Sequence, residues 1–307
     1  MLRRKSVSLL PYVREDINSL SSQEQIYGWE IQKLNVVNTW LKTKGEDIVV
    51  AVLDTGCDLD HDDLKPNLLQ GINIVNKNQD PTDRAGHGTH VASTIAAADN
   101  DRGMVGVAPR AKIVPVKVLG DDGNGDLKHV IEGIIWAADR GVDFITMSLG
   151  SPSPSTQLQN ALEYAHKKGC IIFCAAGNAG ENADIMYPAK YNYSIAVGAV
   201  DENLNRTSFS CSGDELDFLA PGQNILGCVP GNGYAMMSGT SMSNPFATAC
   251  AVLLKSYYKK NGSASLFKNI DDYISHFKKS AIPLKDSRYH AIKKYEGYGI
   301  INPSIYL

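Results

Sequence analysis

Five short apolar runs, Ile48 to Leu53, Ile113 to Val118, Val142 to Met147, Cys170 to Ala175 and Ser194 to Val200, alternate along the chain with segments of helical periodicity. An apolar run without polar alternation reads as a strand buried on both faces, and strands separated by helices build a parallel sheet between helical layers. The alternation therefore predicts an α/β fold of three layers, α/β/α, around a central parallel sheet. The segment Leu127 to Arg140 repeats apolar residues at Leu127, Val130, Ile131, Ile134, Ile135 and Ala138, the spacing of one buried helical face. A second helix spans Thr156 to Lys168 and stops at Gly169, a C-cap glycine. With 307 residues, 43% of them hydrophobic, the chain buries one large core as a single unit, and it shows no internal repeat, low-complexity tract or second-domain linker.

Charge and cysteine usage narrow the classes further. The net charge of −3 comes without a basic stripe interleaved with aromatics, which excludes a nucleic-acid partner. No apolar stretch approaches the roughly 20 residues that span a bilayer, so no membrane partner is expected. The start, Met1-Leu2-Arg3-Arg4-Lys5, has the charge of a signal peptide, but Ser6 to Val13 is short, broken by Pro11 and followed by Arg14-Glu15-Asp16, with no secretory apolar region. A cytoplasmic address is expected. The six cysteines (57, 170, 174, 211, 228, 250) are scattered, most within apolar runs, and read as reduced core thiols; Cys170 and Cys174, four apart on one strand, are too distant to bridge.

Three strings carry the chemistry: Asp54-Thr55-Gly56, His87-Gly88-Thr89-His90 and Gly239-Thr240-Ser241-Met242. A serine hydroxyl needs an imidazole to take its proton, and the imidazole needs a carboxylate to fix its tautomer and hold its charged form. Ser241, His87 and Asp54 fill those roles. An oxyanion also needs donors already aimed at it, and Asn178, in the loop after the apolar run Cys170 to Ala176, is the candidate amide beside the Ser241 backbone N–H. Ser241 precedes the apolar run Phe246 to Leu254 and so lies at a helix N-terminus, where N–H groups favour negative charge. Blander readings exist for each string alone. Asp-Thr-Gly also occurs in aspartic peptidases, but those need a second such carboxylate and none is present. His87 and His90 are three apart, not the four of a zincin helix, and no Glu adjoins them, so His90 reads as a packed histidine.

The order Asp, His, Ser, with the strings around each residue, resembles the subtilisin family from about Tyr27 to Asn302. The resemblance implies a subtilisin-like serine endopeptidase that hydrolyses unstructured polypeptides through a Ser241 acyl-enzyme. Two other readings stay open: a dedicated leader- or precursor-processing peptidase, and a catalytically silent protein that holds peptides in the same cleft. Subtilisins bind substrate as an added strand, and the matching edges are Gly120, Gly123, Gly125 and Leu127 on one side and Ser148-Leu149-Gly150 on the other; main-chain pairing there makes few demands on sequence. Met186 aligns with the floor of the first specificity pocket, where its thioether implies a shallower apolar pocket. Asp121, Asp122 and Asp126 either favour basic side chains in outer subsites or form a solvated acidic loop.

The family binds calcium, and the matching ligands here are Gln23, Asp63, Ala98, Asn100, Arg102 and Met104, an oxygen set suited to Ca²⁺, with Arg102 offering only its carbonyl. A weaker cation site near Asp217 is a lesser expectation. Within the family, intracellular subtilisins carry a short extension with a Leu-Ile-Pro-Tyr element, which here reads Leu9-Leu10-Pro11-Tyr12, and Cys57 is similar to that subfamily too. The resemblance implies residues 1–22 as an inhibitory propeptide lying across the cleft and 23–307 as the catalytic domain, with removal around Asn18 to Gln23 activating the zymogen. Proline lacks an N–H and fixes φ, which displaces the nearest carbonyl from Ser241. A homodimer is carried over from the same subfamily. One departure is plain: after Met242-Ser243-Asn244-Pro245 the family's usual histidine is Phe246.

Overall fold

The computed structural model describes residues 6–17 and 24–305. Strands β1 (Ser6–Leu9) and β2 (Val13–Ile17) precede the short helices α1 (Trp29–Lys33) and α2 (Val36–Trp40). Then follow β3 (Val49–Asp54), β4 (Ile72–Asn73), α3 (His87–Ala96), β5 (Lys112–Lys117), β6 (Asn124–Asp126), α4 (Leu127–Asp139), β7 (Phe144–Met147), β8 (Leu149–Gly150) and α5 (Thr156–Lys167). The chain continues through β9 (Ile171–Ala175), β10 (Ile195–Val200), β11 (Phe218–Pro221), β12 (Ile225–Val229), β13 (Gly233–Ser238), α6 (Thr240–Lys260), α7 (Ile270–Ser280) and α8 (Lys293–Glu296).

The central sheet has seven strands in the order β11-β10-β9-β7-β3-β5-β4, every neighbouring pair parallel. Alternate residues of β3 feed two separate cores. Val50 and Val52 pack with α3 and α6, whereas Ala51 and Leu53 pack with α4 and α5. This is the period-two geometry of a strand buried on both faces, and it makes the three layers. The five expected strands all appear, with ends shifted by a residue or two, and the two expected helices end at Asp139 and Lys167. Within α4, Leu127, Val130, Ile134 and Ala138 are buried but Ile135 is 38% exposed, because it lies on the flank of the stripe.

Two small antiparallel sheets flank the carboxyl ends of the large one. β1 lies between β6 and β8, and β2 lies along β13, whose other edge pairs with β12. Both are anchored by the N-terminal segment.

All six cysteines are free and buried. Burial pushes the thiols up, Cys170 to about 11 and Cys174 to about 12, so they are inert while the fold holds. Unreduced protein should therefore take up six alkyl groups in denaturant and almost none natively. A mass showing four or fewer adducts in denaturant would mean a disulfide.

Candidate active site

Asp54 is the last residue of β3, and the turn after it bends through Gly56 at φ 108°. The first turn of α3 packs directly on that turn. A Cβ on Gly88 would stand 2.2 Å from the Gly56 carbonyl oxygen, so only glycine permits the approach. Gly88 N–H donates to Thr55 Oγ1 at 3.0 Å. Asp83 locks the preceding loop: its carboxylate accepts from Thr55 Oγ1, Ala85 N, Gly86 N, Thr89 N and Thr89 Oγ1 at 2.6–3.0 Å. The result is a fully buried contact of 2.8 Å between His87 Nδ1 and Asp54 Oδ1.

Ser241 is the second residue of α6. Four residues on, Pro245 has no N–H to give the Ser241 carbonyl, and that carbonyl instead accepts from Ser148 Oγ at 3.0 Å, which ties the nucleophile's turn to the end of β7. Ser241 Oγ donates to the Ser148 carbonyl at 3.4 Å, while His87 Nε2 has no hydrogen-bond partner among the described residues. Asn178 follows β9 through Gly177. Its Oδ1 accepts from Thr240 N at 2.8 Å and Thr240 Oγ1 at 2.7 Å, and two donors on that oxygen turn the amide N–H₂ toward the cleft. Nothing in the sequence singled out Thr240 or Asp83. Thr240 orients the Asn178 amide from the start of α6, and Asp83 braces the Thr55 and Thr89 side chains around the Asp54–His87 pair.

The cleft holds the protein's own N-terminal segment. Val7 pairs with Gly125, and Ser8 and Leu9 with Gly150 and Leu149; Leu9 N–H donates to the Gly123 carbonyl at 2.9 Å. Exposure follows the strand: Val7 and Leu10 are buried, Ser6 and Ser8 exposed, Leu9 between. Leu10 lies over Gly150, where a Cβ would meet its Cδ2 at 2.8 Å and Met186 at 3.2 Å. The next carbonyl, that of Pro11, accepts from Asn178 Nδ2 at 2.7 Å, and the Tyr12 ring lies 5.0 Å from the His87 ring.

Among the other expected binding residues, Ser148 meets Ser241, Gly120 N–H donates to the Asn124 carbonyl within its loop, and Leu127 is buried in the core at the start of α4. The acidic trio does not stand free. Asp121 pairs with Lys117 and Arg84, Asp122 accepts from Asn124 N, and Asp126 caps α4 through Lys128 N. Asp121 and Asp122 remain exposed and Asp126 is half-buried, so these carboxylates face solvent while holding partners within the loop.

The loop after α3 brings oxygens together. The Ala98 carbonyl, Asn100 Oδ1 and the Arg102 carbonyl all accept from one nitrogen, Gln25 Nε2, at 2.9–3.4 Å. Gln23 lies outside the described residues; among the described residues the side-chain amide that reaches this loop from the N-terminal segment is that of Gln25. Asp63 is buried and accepts from Asn100 Nδ2, Met104 N and Tyr234 Oη at 2.9–3.1 Å, so Met104 meets it through its N–H. Oxygens converging on a single point beside a buried carboxylate fit a hard cation, and a half-turn of the Gln25 amide adds its own oxygen. Near Asp217, whose carboxyl burial pushes up to about 6, a side-chain cation already sits: Lys293, whose ammonium donates to the Leu216 carbonyl.

A model of the subtilase family matches residues 45–299. The chain is 39% identical over 279 residues to an intracellular serine protease of Paenibacillus polymyxa, covering 88% of this chain and 83% of that protein. It is 41% identical over 269 residues to the major intracellular serine protease of Bacillus subtilis (83% and 82%), and 42% over 262 residues to subtilisin DY of Bacillus licheniformis (84% and 90%).

His90, next along α3, is fully buried with Nε2 3.0 Å from the Ile225 carbonyl, and burial lowers its pKa to about 3. Below its ordinary value of 6.5 an unfolded chain takes up a proton that the folded state refuses, so stability falls as pH drops from 6.5 toward 3. His90→Gln should flatten the urea-midpoint profile between pH 6.5 and 5, removing up to about 1.36 kcal/mol per pH unit. An unchanged slope would mean that His90 takes up its proton without unfolding.

Proposed function

We propose, from the premise that this chain belongs to the subtilase family and is a subtilisin-like serine endopeptidase, that it is a cytoplasmic zymogen whose N-terminal segment stands in for a substrate. In the active form His87 Nε2 takes the Ser241 proton as Oγ attacks the carbonyl carbon, and Asp54 holds the imidazole's tautomer and charge. Asn178 Nδ2 and the Ser241 N–H receive the oxyanion. His87 then returns the proton to the leaving amine, and water releases the acyl group by the same route.

One observation carries the zymogen reading: the first pocket and the oxyanion donor hold consecutive residues, Leu10 over Gly150 and Met186, but the carbonyl of Pro11 on Asn178. In a productive complex one residue supplies both side chain and carbonyl. Here the bond after Leu10 is out of the hole, the carbonyl in the hole belongs to proline, and Ser241 is turned to Ser148 with His87 Nε2 unbonded. The segment binds without reacting. Residues 1–22 then form the inhibitory extension and 23–307 the catalytic domain; the activating cut, around Asn18 to Gln23, falls outside the described residues. The names of the two intracellular relatives and six free thiols support the cytoplasm. Backbone pairing at β6 and β8 supports broad cleavage of unfolded chains, and a casein digest yielding one fragment pair would indicate dedicated processing instead.

Calcium is proposed for the Gln25, Asp63, Ala98, Asn100 and Arg102 cluster, where it would brace the N-terminal segment against the loop after α3. Saturation at 100 times Kd should stabilise by about 2.7 kcal/mol, read as a rise in Tm that Asp63→Ala abolishes. A Tm indifferent to chelation would remove the ion. Ser241→Ala should lower kcat by roughly 10⁶, the drop established for the nucleophile of subtilisin itself, and Asn178→Ala by about 10² to 10³. Full-length protein should be inactive until trimmed, and Pro11→Gly should cut its own extension next to Leu10, visible by intact mass. Full activity before any trimming would end the zymogen reading.

A further inference from the structure

Past the cleft centre the N-terminal segment does not leave the surface. β2 pairs antiparallel with β13 across five positions, Val13 with Ser238, Arg14 with Met237, Glu15 with Met236, Asp16 with Ala235 and Ile17 with Tyr234. β13 leads through Gly239 and Thr240 straight into Ser241, so its edge runs away from the nucleophile on the side that a substrate's leaving group would occupy. The other edge of β13 is filled by β12, and Ala235 and Met237 are fully buried, which holds the strand rigid. Without β2, β13 is therefore a formed but unpaired edge.

The side chains of β2 contribute little to the pairing. Val13 is 68% exposed and Arg14, Glu15 and Asp16 are exposed as well, so the attachment is through the backbone. Two side chains add anchors: Arg14 Nη1 donates to the Ala85 carbonyl at 3.0 Å and lies against Gly86, just before His87, and Ile17 at the far end is half-buried against the core. An edge that binds by main-chain hydrogen bonds accepts nearly any extended sequence and rewards length rather than composition.

We infer that β13 is a substrate-binding edge: on the trimmed enzyme it takes the C-terminal side of an unfolded polypeptide as an added strand out to about the seventh residue past the cleaved bond. This rests on reading residues 6–17 as a substrate mimic, with Leu10 in the first pocket and Ile17 seven residues beyond it. The enzyme then selects interior bonds of long unfolded chains over bonds close to a C-terminus.

The test uses the full chain, trimmed by itself or, if it stays whole, by a trace of a second protease, and followed by intact mass. Two quenched fluorescent peptides share the residues before the cleaved bond and carry either two or seven residues after it. The longer should show roughly tenfold higher kcat/KM, the gain from a few backbone hydrogen bonds kept on binding. N-methylating the long peptide at the alternate nitrogens that face β13 should remove that gain, and methylating the intervening ones should not. Equal kcat/KM for both lengths, or a loss blind to which nitrogens are methylated, overturns the added strand. Failure of the underlying reading looks different: untrimmed protein would already hydrolyse the short peptide at the trimmed rate.

Discussion

The approach of α3 to the end of β3 is the contact on which the site depends. Gly88 lets the N-terminus of α3 come within van der Waals distance of the end of β3, Gly56 lets the turn there pass the Pro81 carbonyl, and Thr55 and Asp83 then fasten helix and turn by hydrogen bonds. A side chain at Gly88 would push α3 off the Gly56 carbonyl, and one at Gly56, already at φ 108°, would collide with the Pro81 carbonyl and shift the turn itself. The 2.8 Å contact between His87 and Asp54 would be lost, and with it the tautomer that leaves Nε2 facing the cleft.

Around that contact the sheet acts as a positioning device. β3, β7 and β9 are neighbours, all parallel, and each ends beside the same cleft: Asp54 at β3, Ser148 after β7, Asn178 after β9. α6 crosses the face of these strands and brings Ser241 to the same end, its first turn tied down because Pro245 leaves a carbonyl for Ser148. Asp54, His87 and Ser241 thus sit on the ends of β3, α3 and α6 themselves and Asn178 one short loop past β9; Thr240 fixes the Asn178 amide, and Asp83 braces Thr55 and Thr89 beside the Asp54–His87 pair.

The N-terminal segment fills the same cleft from end to end. Its backbone pairs on both sides of the centre, with β6 and β8 before it and β13 after it, while proline puts the chain one residue out of step where reaction would occur. Pairing through the main chain and the placement of the Pro11 carbonyl are separable features, since the first needs only extended backbone and the second depends on one ring in place of an N–H.

The sequence by itself determined the central strands, because Val50 to Leu53 and Ile171 to Ala175 are apolar at every position and only a sheet covered on both faces accommodates that. It also singled out Asp54, His87, Asn178 and Ser241 as candidates, since each stands in a short string whose chemistry is local, and the fold brings them to one cleft. The outer strands were not legible. Val13-Arg14-Glu15-Asp16 shows no alternation because nothing buries its side chains, and its partner β13 is chosen by unsatisfied backbone groups that leave no mark in residue type. Tertiary structure alone decided that the Gln25 amide meets the loop after α3, that Asp121 pairs with Lys117, and that Pro11 reaches Asn178 across 167 positions. Those choices depend on distances between segments remote in sequence, which periodicity and motif do not encode.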